Sequence, residues 1–312
     1  MLDTSATPTT AADRTVAPTA AGTPAPAPLP VRPRTAVLGR GEVPWDFPVV
    51  TADDAGLGRG DGCFETLRVL GGPRGPRLLQ LEAHLARFAR SAAALDLPVP
   101  DPGLWLALVQ PLLAEVGEGQ EATLRMLLTR GTPTGGPTGV VTLREVPEVT
   151  RRAREDGISV VTLDRGVVPD AYTSAPWLLG GTKTLSYVLN MAALREAARR
   201  GADDVLFRTG DGEVLEGPTS TLVWSADGEL LTTPTDRGGI LAGTTLQAAF
   251  DGARAAGRRT AVRRTDVGEL GRADGVWFLS SVRGAVEVTS IDAHRLFRDP
   301  ATTRDLRSWI EA

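Results

Sequence analysis

The chain has 312 residues, of which 42% are hydrophobic and 23% are charged, so it can bury the core of one large domain or two smaller ones. Its formal net charge is −4, from 34 basic and 38 acidic residues. This balance gives no positive field for binding nucleic acid or an anionic membrane surface. No apolar run reaches the roughly 18 residues of a membrane span, and no secretory signal is recognisable. With a single cysteine, Cys63, we expect a protein of a reducing, cytoplasmic compartment.

The first third of the chain predicts a tail followed by a small domain. Residues 1–34 are mostly Ala, Thr and Pro without hydrophobic periodicity, which predicts a disordered tail. Residues 35–145 predict a small α+β domain that contains a strand in GDGCFETLRVL. A helix follows this strand, because apolar residues from Leu81 to Leu95 recur on one helical face until Pro98. Two more strands are predicted over residues 124–129 and 140–143, separated by the loop GTPTGGPTG.

The remainder of the chain predicts a connector and a second, larger domain. Residues 146–155 are charged and contain Pro147, which predicts an interdomain connector. In residues 156–312, strand patterns outnumber helical ones and Asp-Gly turns favour hairpins, which predicts an α+β domain. The predicted strands are ISVVTL, 204–207, 220–224 and GVWFLSS, and the predicted helices cover 185–200 and 246–256.

The basic residues are almost all arginine, since 33 of the 34 are Arg and the remaining one is Lys183. Lysine can lose its proton near neutral pH and attack a carbonyl as an amine, forming a Schiff base, whereas arginine cannot. Composition alone leaves two interpretations open: chance survival of one lysine, or a reactive amine. The surrounding sequence, LLGGTKTLSYVLN, places two glycines beside Lys183, which let the backbone approach a ligand closely.

Three further segments carry groups that complement a reactive amine. Glu216 lies in VLEGPTSTLVW between a strand and a Gly-Pro turn, and Arg87 lies beside the apolar face of the first helix. In GGILAGTTLQAAF, a Thr pair occupies the first turn of a helix, where free N–H groups bind phosphate, although such threonines are usually N-caps. We give His84 no catalytic role and interpret it as a packing or capping residue. An amine, an acid, a phosphate cradle and an arginine are the parts that a pyridoxal phosphate site requires.

In the same chain order, GDGCFETLRV, LEAHLARFARSAAAL, GGTKTLSY, GADDVLFRTGDGEVLEGPTSTLVW and GGILAGTTLQAAF resemble the fold-type IV pyridoxal phosphate enzymes. These include branched-chain and D-amino acid aminotransferases and aminodeoxychorismate lyases, and the chain is most similar to actinobacterial lyases. The resemblance covers residues 38–295. It implies a two-domain α+β fold of the D-amino acid aminotransferase type, preceded here by the disordered tail. It also implies a homodimer whose active site lies between the two domains.

The resemblance implies a role for each candidate residue. Lys183 would bind pyridoxal 5′-phosphate covalently and act as general base and acid. Glu216 would face the pyridine nitrogen and keep it protonated, and Tyr187 would lie near the ring hydroxyl. The groups that would hold the phosphate are Arg87, Thr219, Ser220, Thr244 and Thr245.

The expected activity is that of a 4-amino-4-deoxychorismate lyase, which forms 4-aminobenzoate and pyruvate in folate precursor synthesis. Arg130 or Arg283 would hold a carboxylate of this small-molecule substrate, and no metal is expected. A class IV aminotransferase acting on branched-chain or D-amino acids would use the same residues. A pyridoxal phosphate-binding protein without turnover is an alternative of another class, although Lys183 and Glu216 argue against it.

Overall fold

The computed structural model describes residues 30–168, 170–236 and 238–312. Residues 1–29 of the predicted tail lie outside the described residues. The end of that predicted tail is part of the fold, because Val31 is buried in the first hydrophobic core and the first strand begins at Arg34.

The first unit is an antiparallel sheet with helices packed on it. Its strands are β1 (Arg34–Val37), β2 (Gly41–Val43), β3 (Gly62–Gly72), β4 (Gly75–Leu78), β5 (Glu121–Thr132) and β6 (Gly136–Glu145), and its helices are α1 (Ala55–Arg59), α2 (Leu81–Ala94) and α3 (Pro102–Leu113). The strand order is β2-β1-β6-β5-β3-β4. Alternate residues of β3, such as Cys63 and Leu67, join Phe88 of α2 in one buried core. The long pairing with β5 holds β3 in place, and β3 is the strand that faces the second unit.

The predicted strand and helix are confirmed as β3 and α2, whereas two details differ. Strands β5 and β6 extend into the predicted loop, and Gly131 and Gly136, both at φ 73°, allow the tighter turn. Helix α3 was not predicted, because its sequence is apolar on most faces and gives no clear periodicity. Asp101 begins this helix by accepting a hydrogen bond from the Leu104 N–H at 3.0 Å.

The connector predicted over residues 146–155 is largely helical. Helix α4 covers Glu148–Asp156, and Pro147 stands immediately before its first turn. Proline is compatible with a helix start, where its missing N–H would have no intrahelical acceptor. The proline and the surrounding charges therefore mark a surface helix rather than an irregular linker.

The second unit is a mixed, eight-stranded sheet. Its strands are β7 (Ile158–Asp164), β8 (Asp204–Arg208), β9 (Thr221–Ala226), β10 (Glu229–Thr232), β11 (Thr260–Val262), β12 (Gly275–Ser280), β13 (Gly284–Ile291) and β14 (His294–Arg295). Its helices are α5 (Ala171–Ser174), α6 (Val188–Arg199), α7 (Thr244–Ala255), α8 (Val267–Leu270) and α9 (Pro300–Glu311). The order is β11-β10-β9-β12-β13-β7-β8, with β14 paired to β13. Helices α7 and α9 pack on Trp277 of β12, whose indole N–H donates to Thr303 Oγ1 at 2.8 Å.

The two units form an α+β, two-domain fold. Side chains from both units line a cleft between the sheets. The C-terminal helix also joins them, since Arg68 of β3 binds Glu311 at 2.6 Å and Gln80 donates to the Ile310 carbonyl at 2.6 Å. In the described ranges, no helix has the length and apolarity needed to cross a membrane.

Candidate active site

The cleft has a volume of about 950 Å³ and collects side chains from distant parts of the sequence. Nine of the ten predicted site residues line it, and Arg130 does not. The first unit contributes α1, β3 and α2, and the second contributes the loop before α6, the turn before β9, and the start of α7.

Lys183 lies on the loop before α6, which is attached to β3. The Lys183 carbonyl accepts from the Phe64 N–H at 3.1 Å, and the Lys183 N–H donates to Ser91 Oγ at 3.2 Å. The amine Nζ lies 3.3 Å from Tyr187 Oη and 4.5 Å from the centre of the Phe64 ring. Backbone pairing with a buried strand thus holds the amine against two aromatic rings.

This environment favours the uncharged amine. Burial, reinforced by the positive charge of Arg87, lowers the pKa of Lys183 to about 8. Burial also raises the pKa of Tyr187 to about 12, so its hydroxyl keeps its proton, and its oxygen accepts a hydrogen bond from the Lys183 amine. A substantial fraction of Lys183 is therefore nucleophilic at mildly alkaline pH.

Glu216 is held by backbone contacts at the end of β8. Its carbonyl accepts from the Phe207 N–H at 3.0 Å, and its Oε1 accepts from the Leu241 N–H at 3.3 Å. Burial raises the pKa of Glu216 to about 7, although the nearby positive charge of Arg165 opposes this effect. Among the described residues, its carboxylate has a backbone N–H as hydrogen-bond partner and no ion-paired cation, so it is suited to a cationic ring nitrogen.

The start of α7 forms an open anion cradle. Its N-cap, Gly243, makes no side-chain capping bond, and Thr244 and Thr245 are buried at its first turn. A Cβ at Gly243 would lie 2.5 Å from Thr221 Oγ1, so glycine is needed for this close approach. Arg87 reaches the same place, where its Nη1 donates to the Ala242 carbonyl at 3.0 Å. These free N–H groups, hydroxyls and guanidinium suit a phosphate.

A buried carboxylate that the sequence analysis did not single out holds Arg87. Glu65 of β3 accepts from Arg87 Nε at 2.7 Å and from Nη2 at 2.8 Å, and it also contacts His84. The signal was present in the sequence: Glu65 occupies a core-facing position of the predicted strand, where an unpaired carboxylate would be unstable. His84 is a buried, hydrogen-bonded imidazole, in keeping with the packing interpretation.

The two arginines predicted to bind a substrate carboxylate have protein partners. Arg283 lines the cleft, but its Nη1 binds buried Asp204 at 2.7 Å and its Nη2 donates to Ser220 Oγ at 3.0 Å. Arg130 binds Asp61 at 2.6 Å and donates to the Leu95 carbonyl at 2.6 Å; both partners line the cleft, whereas Arg130 itself does not. Nothing in the positions of Arg130 and Arg283 along the sequence indicated that Asp61 and Asp204 would be their partners.

The residues present fit pyridoxal 5′-phosphate. Lys183 offers an amine for the aldehyde, and Glu216 offers a buried carboxyl for the ring nitrogen. The start of α7 and Arg87 offer donors for the phosphate, and Tyr187 offers a neutral hydroxyl for the ring oxygen.

Comparison with known proteins identifies the family. The family Amino-transferase class IV matches residues 62–291. The chain is 43% identical over 263 residues to the "Bifunctional aminodeoxychorismate lyase / D-amino acid transaminase" of Mycobacterium tuberculosis, which covers 81% of this chain and 90% of that protein.

Two solved structures are similar over nearly their whole length. One is "a hypothetical aminotransferase from Mycobacterium tuberculosis, PLP-bound form", with 41% identity, a TM-score of 0.83, and coverage of 89% of this chain and 98% of that chain. The other is a fold IV transaminase from Curtobacterium pusillum, with 42% identity, a TM-score of 0.83, and coverage of 90% and 99%. The chain therefore belongs to the class IV aminotransferases, with the fold-type IV architecture and pyridoxal 5′-phosphate as its cofactor.

Proposed function

We propose that the chain is an aminodeoxychorismate lyase, which converts 4-amino-4-deoxychorismate into 4-aminobenzoate and pyruvate. The observation that carries this choice is the 43% identity, over 90% of its length, to a bifunctional protein whose name includes the lyase. The site supports it, because Lys183 and Glu216 lie in one cleft with the groups that a carbon-acid reaction needs.

Lys183 performs the proton transfers. As an uncharged amine, it removes the proton from the amine-bearing carbon of the substrate ring. The bond from the ring to the enolpyruvyl oxygen then breaks, its electron pair leaves with the oxygen, and the ring becomes aromatic. The enolpyruvate takes up a proton to become pyruvate. When bound, pyridoxal phosphate supplies an electron sink for the charge that develops at the substrate carbon.

Two neighbours support this chemistry. Glu216, once ionised beside a cationic ring nitrogen, holds that proton in place. The Tyr187 hydroxyl oxygen accepts a hydrogen bond from Lys183 Nζ across 3.3 Å and so orients the amine, and the raised pKa of Tyr187 keeps that hydroxyl neutral.

Arg59 is the cation available for a substrate carboxylate. Two other arginines that line the cleft, Arg87 and Arg283, are held by buried carboxylates, and Arg165 donates to the Gly238 carbonyl at 2.8 Å. Arg59 lines the cleft and is exposed, without an ion pair or hydrogen bond to any described residue. Its position beside the Lys183 loop is fixed by the next residue, Gly60, whose carbonyl accepts from Ser186 Oγ at 3.3 Å.

A D-amino acid transaminase is the second candidate function. The same relative carries this second activity in its name. The Mycobacterium tuberculosis aminotransferase has also been solved with alpha-ketoglutarate and PMP bound. A transaminase uses the same amine, carboxyl and phosphate cradle, but it consumes a 2-oxo acid acceptor.

The test is incubation of the cofactor-loaded protein with 4-amino-4-deoxychorismate and no 2-oxo acid, while 4-aminobenzoate and pyruvate are measured together. We expect equimolar formation of both over many turnovers, and none with Lys183→Ala. If the loaded protein forms neither product, the lyase proposal is wrong. Turnover of D-alanine with 2-oxoglutarate would then favour the transaminase.

A further inference from the structure

A carboxylate, an imidazole and a guanidinium form a buried cluster between the two domains. Glu65 and His84 are fully buried, and Arg87 is 5% exposed. Glu65 uses both oxygens: Oε1 binds Arg87 Nε at 2.7 Å, and Oε2 binds Arg87 Nη2 at 2.8 Å and His84 Nδ1 at 2.7 Å. This two-pronged contact leaves Arg87 with a single orientation and one outer nitrogen, Nη1, that points away from Glu65.

The proton positions in this cluster follow from its charges. Although burial opposes ionisation, the hydrogen bonds from Arg87 and His84 outweigh it and lower the pKa of Glu65 to about 2. An ionised carboxylate only accepts hydrogen bonds, so His84 Nδ1 carries a proton and donates it. Burial lowers the pKa of His84, which favours the neutral ring. Its Nε2 therefore presents a lone pair.

That lone pair faces the phosphate cradle of the second domain. His84 Nε2 lies 3.2 Å from Thr244 Oγ1 and 3.1 Å from Ser281 Oγ, within range to accept a hydrogen bond from either hydroxyl. Arg87 Nη1 contacts the carbonyl of Ala242, two residues before Thr244. Side chains of α2 thus hold the start of α7 from two directions.

We propose that Glu65 and His84 are positioning residues of the phosphate subsite, acting across the domain boundary. Ionised Glu65 fixes the direction of Arg87 and the tautomer of His84, and His84 then orients the hydroxyl of Thr244. The affinity for the phosphate therefore depends on side chains that the phosphate does not touch. A purely structural role predicts instead that replacing them lowers protein stability without any selectivity for a phosphorylated ligand.

The experiment compares two ligands that differ only in the phosphate. Full-length protein and its variants are titrated with pyridoxal 5′-phosphate and with pyridoxal, and the Kd of each is measured by absorbance. His84→Phe keeps a planar ring at this position but removes the hydrogen bonds to Glu65, Thr244 and Ser281. We expect it to weaken binding of pyridoxal 5′-phosphate by about tenfold or more, as for loss of hydrogen bonds to a charged group. Pyridoxal binding should change by less than about twofold.

Two further variants keep the proposal testable if His84→Phe does not fold. Thr244→Val removes the hydroxyl while keeping the side-chain shape, and it should show the same selective loss, whereas Thr244→Ser should restore most of the affinity. Combining Thr244→Val with His84→Phe should add little to either change alone, because each variant already removes the contact between His84 Nε2 and Thr244 Oγ1. Equal weakening of both ligands, additive losses, or unchanged affinity for pyridoxal 5′-phosphate would overturn the proposal.

Discussion

The chemistry of Lys183 depends on a few immediate neighbours. The Phe64 and Tyr187 rings exclude water from its amine, and Arg87 adds a positive charge that opposes its protonation. The Tyr187 hydroxyl oxygen accepts a hydrogen bond from the amine and orients it. A single lysine in a chain with 33 arginines is thus placed where it can lose its proton.

The lowered pKa of Lys183 predicts a pH dependence for cofactor attachment to the cofactor-free protein. The ordinary value is 10.5 and the value here is about 8, so the uncharged fraction rises as the pH increases through 8. We expect the rate of attachment, followed by visible absorbance, to rise through that pH and level off about one unit above it. A rate that still rises steeply at about pH 10 would contradict this pKa, and Lys183→Ala should show no attachment.

Because Arg59 is exposed in the cleft and has no ion-pair partner among the described residues, we expect its replacement to weaken substrate binding. In the lyase assay, Arg59→Gln should raise KM by about tenfold, as expected for loss of a hydrogen bond between charged groups, with little change in kcat. Arg130→Gln is the matched control, because Arg130 does not line the cleft and its guanidinium is paired with Asp61. An unchanged KM in an active Arg59→Gln enzyme would remove Arg59 from the substrate site while leaving the proposed activity intact.

At the scale of elements, the site is built from the ends of a strand and a helix. Strand β3 presents Glu65 to α2 on one face and Phe64 to Lys183 on the other, because successive side chains of a strand point in opposite directions. Helix α7 begins without a side-chain cap, so its first N–H groups remain available. Strand β3 and helix α7 therefore place their groups in the site through regular strand and helix geometry.

The close approach at the start of α7 makes Gly243 sensitive to substitution. Gly243→Ala would place a Cβ 2.5 Å from Thr221 Oγ1, so the first turn of the helix must shift. We expect the Kd for pyridoxal 5′-phosphate to rise by about tenfold, measured by titration with the cofactor. Gly271→Ala is the control, because Gly271 has φ −63° and its added Cβ would have its nearest neighbour at 3.4 Å. Equal affinities for the two variants would contradict this account.

At the scale of the molecule, buried arginines tie the two domains to the connector helix. Glu121 of β5 accepts hydrogen bonds from Arg68 of β3 and from Arg154 of α4, the latter at 2.7 Å. Arg154 also donates to the Arg283 carbonyl at 3.1 Å, on a loop that lines the cleft. The ion pairs that fix the domain arrangement therefore also support the cleft.

Removing the shared carboxylate should destabilise the protein. The Arg68 and Arg154 side chains are 5% and 12% exposed, so Glu121→Gln leaves Arg154 without its carboxylate partner and Arg68 with Glu311 alone. We expect a loss of about 1–3 kcal/mol in the free energy of unfolding, measured by urea denaturation. Glu148→Gln, whose carboxylate is 62% exposed in its pairs with Arg151 and Arg152, should cost less than about 0.5 kcal/mol. Similar losses for both variants would contradict an interdomain role.

The sequence by itself determined the local elements and the reactive groups. Periodicity predicted β3 and α2, because burial of one face leaves a repeating apolar pattern. The single lysine, the acid before a Gly-Pro turn and the threonines at a helix start indicated pyridoxal phosphate, because each group has a distinctive chemistry. The periodic signal failed for α3, since a helix that is apolar on most faces has no clear period.

The tertiary structure alone decided which charges pair. Glu65 and Arg87 are 22 residues apart, and Arg283 and Asp204 are 79 residues apart, so no local pattern links them. An arginine that is free to bind substrate and one that is held by a buried carboxylate have the same signature in a sequence. Their difference arises when folding removes water from one pair and leaves the other cation exposed, as it does for Arg283 and Arg59.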